Sequence, residues 1–180
     1  MILNAQRTAA VSTLAAVGLL ATTALTAPRS NGGTPAAAAL EQFKALAGEW
    51  VAAEDSEMAR KGDLVARYTV TGDGSAVVET VFPGKAHEMI TVYHAEGRDL
   101  VLTHYCVEGN QPRMRARNAS GPRFDFAYDG GANIDPSRDR HMHSASIELL
   151  GADEVRSEWT EHADGKPVLV ARSHIVRKTR

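Results

Sequence analysis

The chain has 180 residues, 43% of them hydrophobic and 23% charged, with a formal net charge of −2 at pH 7. This composition excludes a disordered or fibrous protein, and the near-neutral charge provides no basic surface for nucleic acid or an anionic membrane. The single cysteine, Cys106, excludes an intrachain disulfide, so the fold has to be stabilised by packing.

The N-terminus has the layout of a secretory signal. A positive charge at Arg7 precedes an uncharged stretch of small and apolar residues that ends in Ala-Leu-Thr-Ala at residue 27. We therefore predict a signal peptide at 1–27, a linker at 28–34, and export of the mature domain to the periplasm or beyond. The alternative is an uncleaved N-terminal anchor, since about twenty such residues are long enough to span a membrane.

One domain is predicted over residues 35–180, and it begins with a short amphipathic helix. Thr34 and Pro35 are typical of a helix start, and Leu40 and Phe43 recur at helical spacing before Gly48. Beyond Gly48 apolar and polar residues alternate, and turn sequences recur at short intervals. The predicted strands are 48–54, 64–72, 75–82, 87–95, 99–107, 111–118, 123–128, 141–150, 154–162 and 167–177.

About ten short strands joined by tight turns form an antiparallel meander. Such a meander removes its exposed edges by closing on itself. We therefore predict an all-β, up-and-down barrel with one N-terminal helix and with the long interruption at 129–140 placed at its mouth. Barrels of roughly this size hold one small ligand.

Two features of the sequence resemble known barrels. Gly48-Glu49-Trp50 directly after a short helix resembles the Gly-x-Trp start of lipocalins and related calycin barrels, in which an arginine near the last strand, here Arg177, packs against the tryptophan. The segments FPGKAHEMITVYH, LTHYCVEGNQPRMRA and SEWTEHADGKP resemble a bacterial lipocalin-like family of the domain-of-unknown-function kind. The resemblance implies a lipocalin-like fold, in which Gly48, Trp50 and Arg177 are structural.

Side-chain alternation predicts which residues face the barrel interior. His104 and Cys106 share a face with leucines, and Met114 lies opposite three arginines, so all three are expected inside. His141 and His143 lie on the more apolar face of their strand and are expected to meet His104. The predicted ligand-binding residues are Met89, His104, Cys106, Asn110, Gln111, Met114, His141 and His143.

The histidines also suggest a metal site. His141 and His143, two apart on one strand, can present both imidazoles to one divalent ion, and His104 is the predicted third ligand. Haem is a further alternative, because His174 falls where nitrobindin-like barrels carry a haem-binding histidine, although the glycines of that family's opening motif are missing. Either cofactor would imply an enzyme or a sensor.

Nucleophilic catalysis is a third alternative, with Cys106 as nucleophile and His104 or His141 as base. A lone cysteine among leucines is more often a small buried hydrophobe. Glu79, Glu88 and Glu158 are candidate acids or bases, but their spacing pairs none of them, and we expect such charges on outer faces.

The prediction adopted here is an exported barrel that binds a small, mostly apolar ligand, with catalysis as the less favoured alternative. A polar group such as His104 or His143 would orient one end of that ligand. We expect the mature domain to be a monomer or weak oligomer, with neither nucleic acid nor a membrane as partner.

Overall fold

The computed structural model describes residues 33–117 and 119–179, so the predicted signal peptide and most of the linker lie outside the described residues. One helix and ten strands follow in chain order. They are α1 (Pro35–Lys44), β1 (Gly48–Ala52), β2 (Leu64–Thr71), β3 (Ala76–Val81), β4 (Met89–Glu96), β5 (Asp99–Tyr105), β6 (Gln111–Ala116), β7 (Arg123–Ala132), β8 (His141–Leu149), β9 (Glu154–Ala163) and β10 (Lys166–Arg177).

The ten strands form a closed antiparallel barrel in which every strand pairs with its neighbours in sequence. The barrel closes where β1 pairs with β10, with Trp50 opposite Arg177 and Ala52 opposite Ile175. This confirms the predicted all-β barrel with a single short helix. Closure satisfies the backbone hydrogen bonds of both end strands and leaves no exposed sheet edge.

α1 closes one end of the barrel. Its N-terminus is capped by the Thr34 hydroxyl, which accepts a hydrogen bond from the Ala37 amide at 3.1 Å, and Pro35 occupies the first turn. On its buried face, the Phe43 ring packs 4.6 Å from the Tyr93 ring and 5.2 Å from the Phe124 ring. An aromatic cluster therefore fills the helix end of the lumen.

Gly48, Trp50 and Arg177 lock the helix to the barrel seam. The Arg177 guanidinium lies 4.6 Å from the centre of the Trp50 ring and donates to the carbonyls of Ala45 and Ala47. Gly48 has φ +131°, and a Cβ there would lie 3.3 Å from Arg177 Nη1. The contact between Arg177 and Trp50 is the one that the resemblance to calycin barrels implies. A side chain at position 48 would crowd the Arg177 guanidinium, so glycine is favoured there.

The opposite end of the barrel carries the longest connections, 53–63 and 133–140. Because successive strands are antiparallel, the β1–β2, β3–β4, β5–β6, β7–β8 and β9–β10 connections all lie at this end, away from α1. The long interruption that the sequence places at the mouth corresponds to the end of β7 and the loop 133–140. We call this end the open end.

Candidate functional site

A cavity of about 660 Å³ extends from the lumen toward the open end, and its lining also includes the exposed residues Arg156, Glu158 and Arg172 of β9 and β10. Its lining includes apolar side chains from strands around the barrel, among them Val65, Met89, Ile147, Val155 and Trp159. Met58 and Val107, from two loops of the open end, also line it and are 50% and 58% exposed. The cavity therefore has apolar residues on its inner wall, and its rim combines apolar residues with charged ones such as Glu108 and Arg140.

A row of four polar residues lies on adjacent strands of the inner face, and three of them, Tyr68, Glu79 and His104, line this cavity. In the strand register Tyr68 lies opposite Glu79, Glu79 opposite Thr91, and Thr91 opposite His104. All four side chains are buried, between 0% and 9% exposed. We call Tyr68, Glu79, Thr91 and His104 the polar row.

Glu79 is the acidic member of the polar row, and its position differs from the outer-face position expected from sequence. The Tyr68 hydroxyl donates to Oε1 at 2.7 Å, and the Tyr93 hydroxyl donates to Oε2 at 2.6 Å. Burial raises the pKa of Glu79, while the two tyrosine hydrogen bonds oppose that rise. Burial, reinforced by the neighbouring carboxylate, raises the pKa of both tyrosines, which keeps them protonated donors.

His104 is the basic member of the polar row. It is 3% exposed, and its Nδ1 lies 2.9 Å from the Thr91 hydroxyl. Its Nε2 is buried and has no hydrogen-bond partner in the described part of the chain. Burial lowers the pKa of His104 to about 4, so the ring is neutral at pH 7. The Trp159 ring lies 5.1 Å from the imidazole and forms the adjacent wall.

The predicted convergence of His141 and His143 on His104 is not observed, because β8 contains a bulge. Met142 pairs with Glu161 and Ser144 with Thr160, so His143 is an extra residue between them. The bulge changes which side chains face the cavity, and Met142 lines it. His141 and His143 are not among the lining residues.

The two β8 histidines instead form a separate cluster with His162 and Tyr128. His141 donates through Nδ1 to the Asp139 carbonyl at 2.8 Å, and its Nε2 lies 3.0 Å from His143 Nδ1. The His143 ring stacks on His162 at 3.9 Å and on Tyr128 at 5.1 Å. Burial, followed by the neighbouring histidines, lowers the pKa of His143, and burial and then His141 lower that of His162.

The predicted metal site is not formed. Across residues 33–117 and 119–179, no group of three or more histidine, cysteine, aspartate or glutamate side chains is arranged to hold a metal ion. His174, the haem candidate, lies between two carboxylates, with Nε2 at 2.8 Å from Glu154 and Nδ1 at 3.4 Å from Glu54. Both of its ring nitrogens are thus already engaged.

Cys106 lines the cavity just beyond the end of β5. Burial is the main reason that the pKa of its thiol is raised. A nucleophilic cysteine requires the opposite shift, because the thiolate is the reactive form. The raised pKa and the position of Cys106 in the lining therefore favour a structural role in the cavity wall over a role as a nucleophile.

The remaining predicted residues divide between the cavity, the core and a turn. Met89 lines the cavity, whereas Met114 is fully buried in the core and is not part of the lining. Asn110 donates to the Arg140 carbonyl at 2.7 Å, and Gln111 accepts from Asn133 at 2.8 Å. Asn110 and Gln111 join the β5–β6 turn to the loop before β8 and do not line the cavity.

Sequence reasoning missed the acidic half of the polar row. Glu79 shares a strand face with Val77, which is fully buried, and with Val81, which packs against the core. The alternation of Val77, Glu79 and Val81 therefore indicates that the Glu79 side chain faces the barrel interior. Tyr68 and Tyr93 complete the arrangement from other strands, and no local pattern links them to Glu79.

Comparisons with known proteins identify no family for this chain. No protein-family model matches the chain, and no curated protein is significantly similar to it. Within the described residues, no helix combines the length and apolar character needed to cross a membrane.

Proposed function

We propose that this protein binds a small, mostly apolar molecule in the lumen of its barrel. The observation that carries the proposal is the 660 Å³ cavity, which lies within the range of about 300–1,000 Å³ typical of ligand sites. Apolar side chains of β2, β4, β8 and β9 form a large part of its wall, and Glu79 and His104 of the polar row are among its polar lining residues. This combination is typical of pockets that bind by apolar burial and orient by hydrogen bonds.

Binding fits the chemistry of the cavity better than catalysis. Burial raises the pKa of the Cys106 thiol and lowers that of His104, so both groups are uncharged near neutral pH. A protonated thiol is not an activated nucleophile, and an imidazole with so low a pKa is a weak base. Among the charged lining residues Arg140 and Glu161 form an ion pair, and much of the remaining wall is apolar, which suits a mostly apolar ligand.

Tryptophan fluorescence tests the proposal, because only one of the two tryptophans lines the cavity. Trp159 is in the lining, while Trp50 is packed under Arg177 at the helix end. In the Trp50→Phe variant, addition of n-decanol should change the remaining Trp159 emission in a saturable way. The matched Trp159→Phe variant retains only Trp50 and should respond little.

A blocking substitution gives the companion control. Ala171 lies opposite Trp159 in the register and lines the cavity, so Ala171→Phe should fill the lumen and abolish n-decanol binding. The neighbouring Val170 is 40% exposed and is not part of the lining, so Val170→Phe adds the same ring without blocking the lumen. Equal n-decanol affinity in both variants would refute binding in the lumen.

Export of the domain is also part of the proposal. It is supported by the charged start and uncharged stretch of residues 1–27. The mass of the protein recovered from producing cells tests it, because cleavage near residue 27 removes the whole segment. Recovery of the uncleaved chain in the membrane fraction would favour the anchored alternative.

A further inference from the structure

The most informative atom in the cavity wall is Nε2 of His104. The side chain is 3% exposed, yet this nitrogen has no partner in the described residues. A buried polar atom without a partner is costly and uncommon in native proteins. Because His104 lines the cavity, a bound molecule is the natural partner for this nitrogen.

The hydrogen-bonding role of Nε2 depends on which ring nitrogen carries the proton. The Glu79 carboxyl group lies on the Thr91 side of the imidazole, since Thr91 is opposite both Glu79 and His104 in the register. Because both of its oxygens accept hydrogen bonds from tyrosine hydroxyls, the Glu79 carboxyl group is an acceptor, and its negative end favours the proton on Nδ1. Nδ1 then donates to the Thr91 hydroxyl 2.9 Å away, and Nε2 presents a lone pair.

Thr91, in the polar row, and the neighbouring Tyr93 are compatible with a proton on Nδ1 of His104. A Thr91 hydroxyl that accepts from His104 is free to donate its own hydrogen, and its interaction with Tyr93 lowers the pKa of Tyr93 against the larger effect of burial. Tyr93 in turn donates to Glu79. With the proton on Nδ1, His104 donates to Thr91, both tyrosines donate to Glu79, and the Nε2 lone pair is left without a partner in the described residues.

We infer that the ligand is an apolar molecule that carries a hydroxyl group, an aliphatic alcohol or a phenol, and that its O–H donates to Nε2 of His104. This inference rests on the proposed function and specifies the polar end of the ligand. The apolar part of such a molecule would contact Trp159, Met89 and Ile147. Ligands that carry only acceptors, such as ethers and ketones, leave Nε2 unpaired.

Three probes of equal heavy-atom count test the inference at neutral pH. They are n-decanol, which can donate, and methyl nonyl ether and methyl octyl ketone, which can only accept. We expect n-decanol to bind at least about tenfold more tightly than the other two, as measured by titration calorimetry, because a donor satisfies the buried acceptor.

The outcomes separate the inference from the proposed function. Equal binding of all three probes would retain a ligand cavity and overturn the role of His104. Tighter binding of the ketone than of the alcohol would show that Nε2 is a donor and would also overturn it. No binding by any of the three would refute the proposed function itself.

Two substitutions test the positions that set the preference. His104→Phe keeps a ring of similar size but removes the acceptor, so the alcohol should lose its advantage over the ether. Thr91→Val keeps the side-chain shape but removes the partner that holds the proton on Nδ1. The difference in affinity between n-decanol and methyl octyl ketone should therefore become smaller. An unchanged preference in both folded variants would contradict the inference.

Because His104 and Thr91 are buried, a measurement on the unaltered protein is also needed. Nitrogen-15 NMR distinguishes a bare imidazole nitrogen from an N–H nitrogen by its chemical shift. In the ligand-free protein the His104 Nε2 signal should have the shift of a bare nitrogen, and n-decanol should move it toward the hydrogen-bonded range. An Nε2–H signal at neutral pH would overturn the inference, whatever the variants do.

Discussion

Lowering the pH from about 7 to about 5 should destabilise the folded barrel through His104. The pKa of this buried imidazole is lowered from 6.5 to about 4 by desolvation. Below about pH 6.5 the unfolded chain therefore binds a proton at His104 that the folded chain does not bind. The contribution of neutral His104 to the free energy of unfolding is therefore fully present above about pH 6.5. It is lost progressively as the pH falls from there toward about 4.

The size of this effect follows from the shift. Each pKa unit corresponds to about 1.4 kcal/mol, so the full penalty approaches about 3 kcal/mol at low pH, and about 2 kcal/mol of it develops between about pH 7 and about pH 5. Lowered pKa values at His143 and His162 act in the same direction, but these side chains are less buried. Glu49 and Glu96, with pKa values of about 2, lose their contribution only under more acidic conditions.

The assay is urea unfolding at a series of pH values, on the unaltered protein and on His104→Phe. The variant should lose about 2 kcal/mol less free energy of unfolding than the parent over this interval, because only the His104 contribution is removed. Contributions of the other histidines are common to both proteins and cancel in the comparison. Identical pH dependence of the two proteins would refute the neutral, buried state of His104.

Three further substitutions test the structural account by urea unfolding. Phe43→Ala should cost about 3–5 kcal/mol, because its ring fills the helix end of the lumen. Tyr93→Phe should cost about 1–3 kcal/mol, because Glu79 loses one of its two phenol donors. Arg177→Lys should cost about 1–3 kcal/mol, because a lysine cannot make the planar contact with Trp50 and also reach several carbonyls. Unchanged unfolding midpoints would contradict these assignments.

The architecture was predictable because it depends on local patterns. The period-two alternation and regular turns predicted ten strands, and the Thr34-Pro35 start predicted the helix. The closed barrel then follows from pairing each strand with its neighbours. Strand alternation also predicted that His104 faces the barrel interior, and its side chain is buried in the structure.

The site was harder to predict because it depends on irregularity and on distant partners. One extra residue at His143 changes which β8 side chains face the cavity, and no local signal marks that bulge. Glu79 required its partners Tyr68 and Tyr93, which come from two other strands.

The central claim is that the lumen is a ligand cavity, and methionine NMR tests it most directly. Met58, Met89 and Met142 line the cavity, whereas Met114 is fully buried in the core beyond it. With carbon-13 in the methionine methyl groups, n-decanol should shift the Met58, Met89 and Met142 signals in a saturable way and leave Met114 nearly unchanged. Shifts absent from the three lining methionines, or equal at Met114, would contradict binding in the lumen.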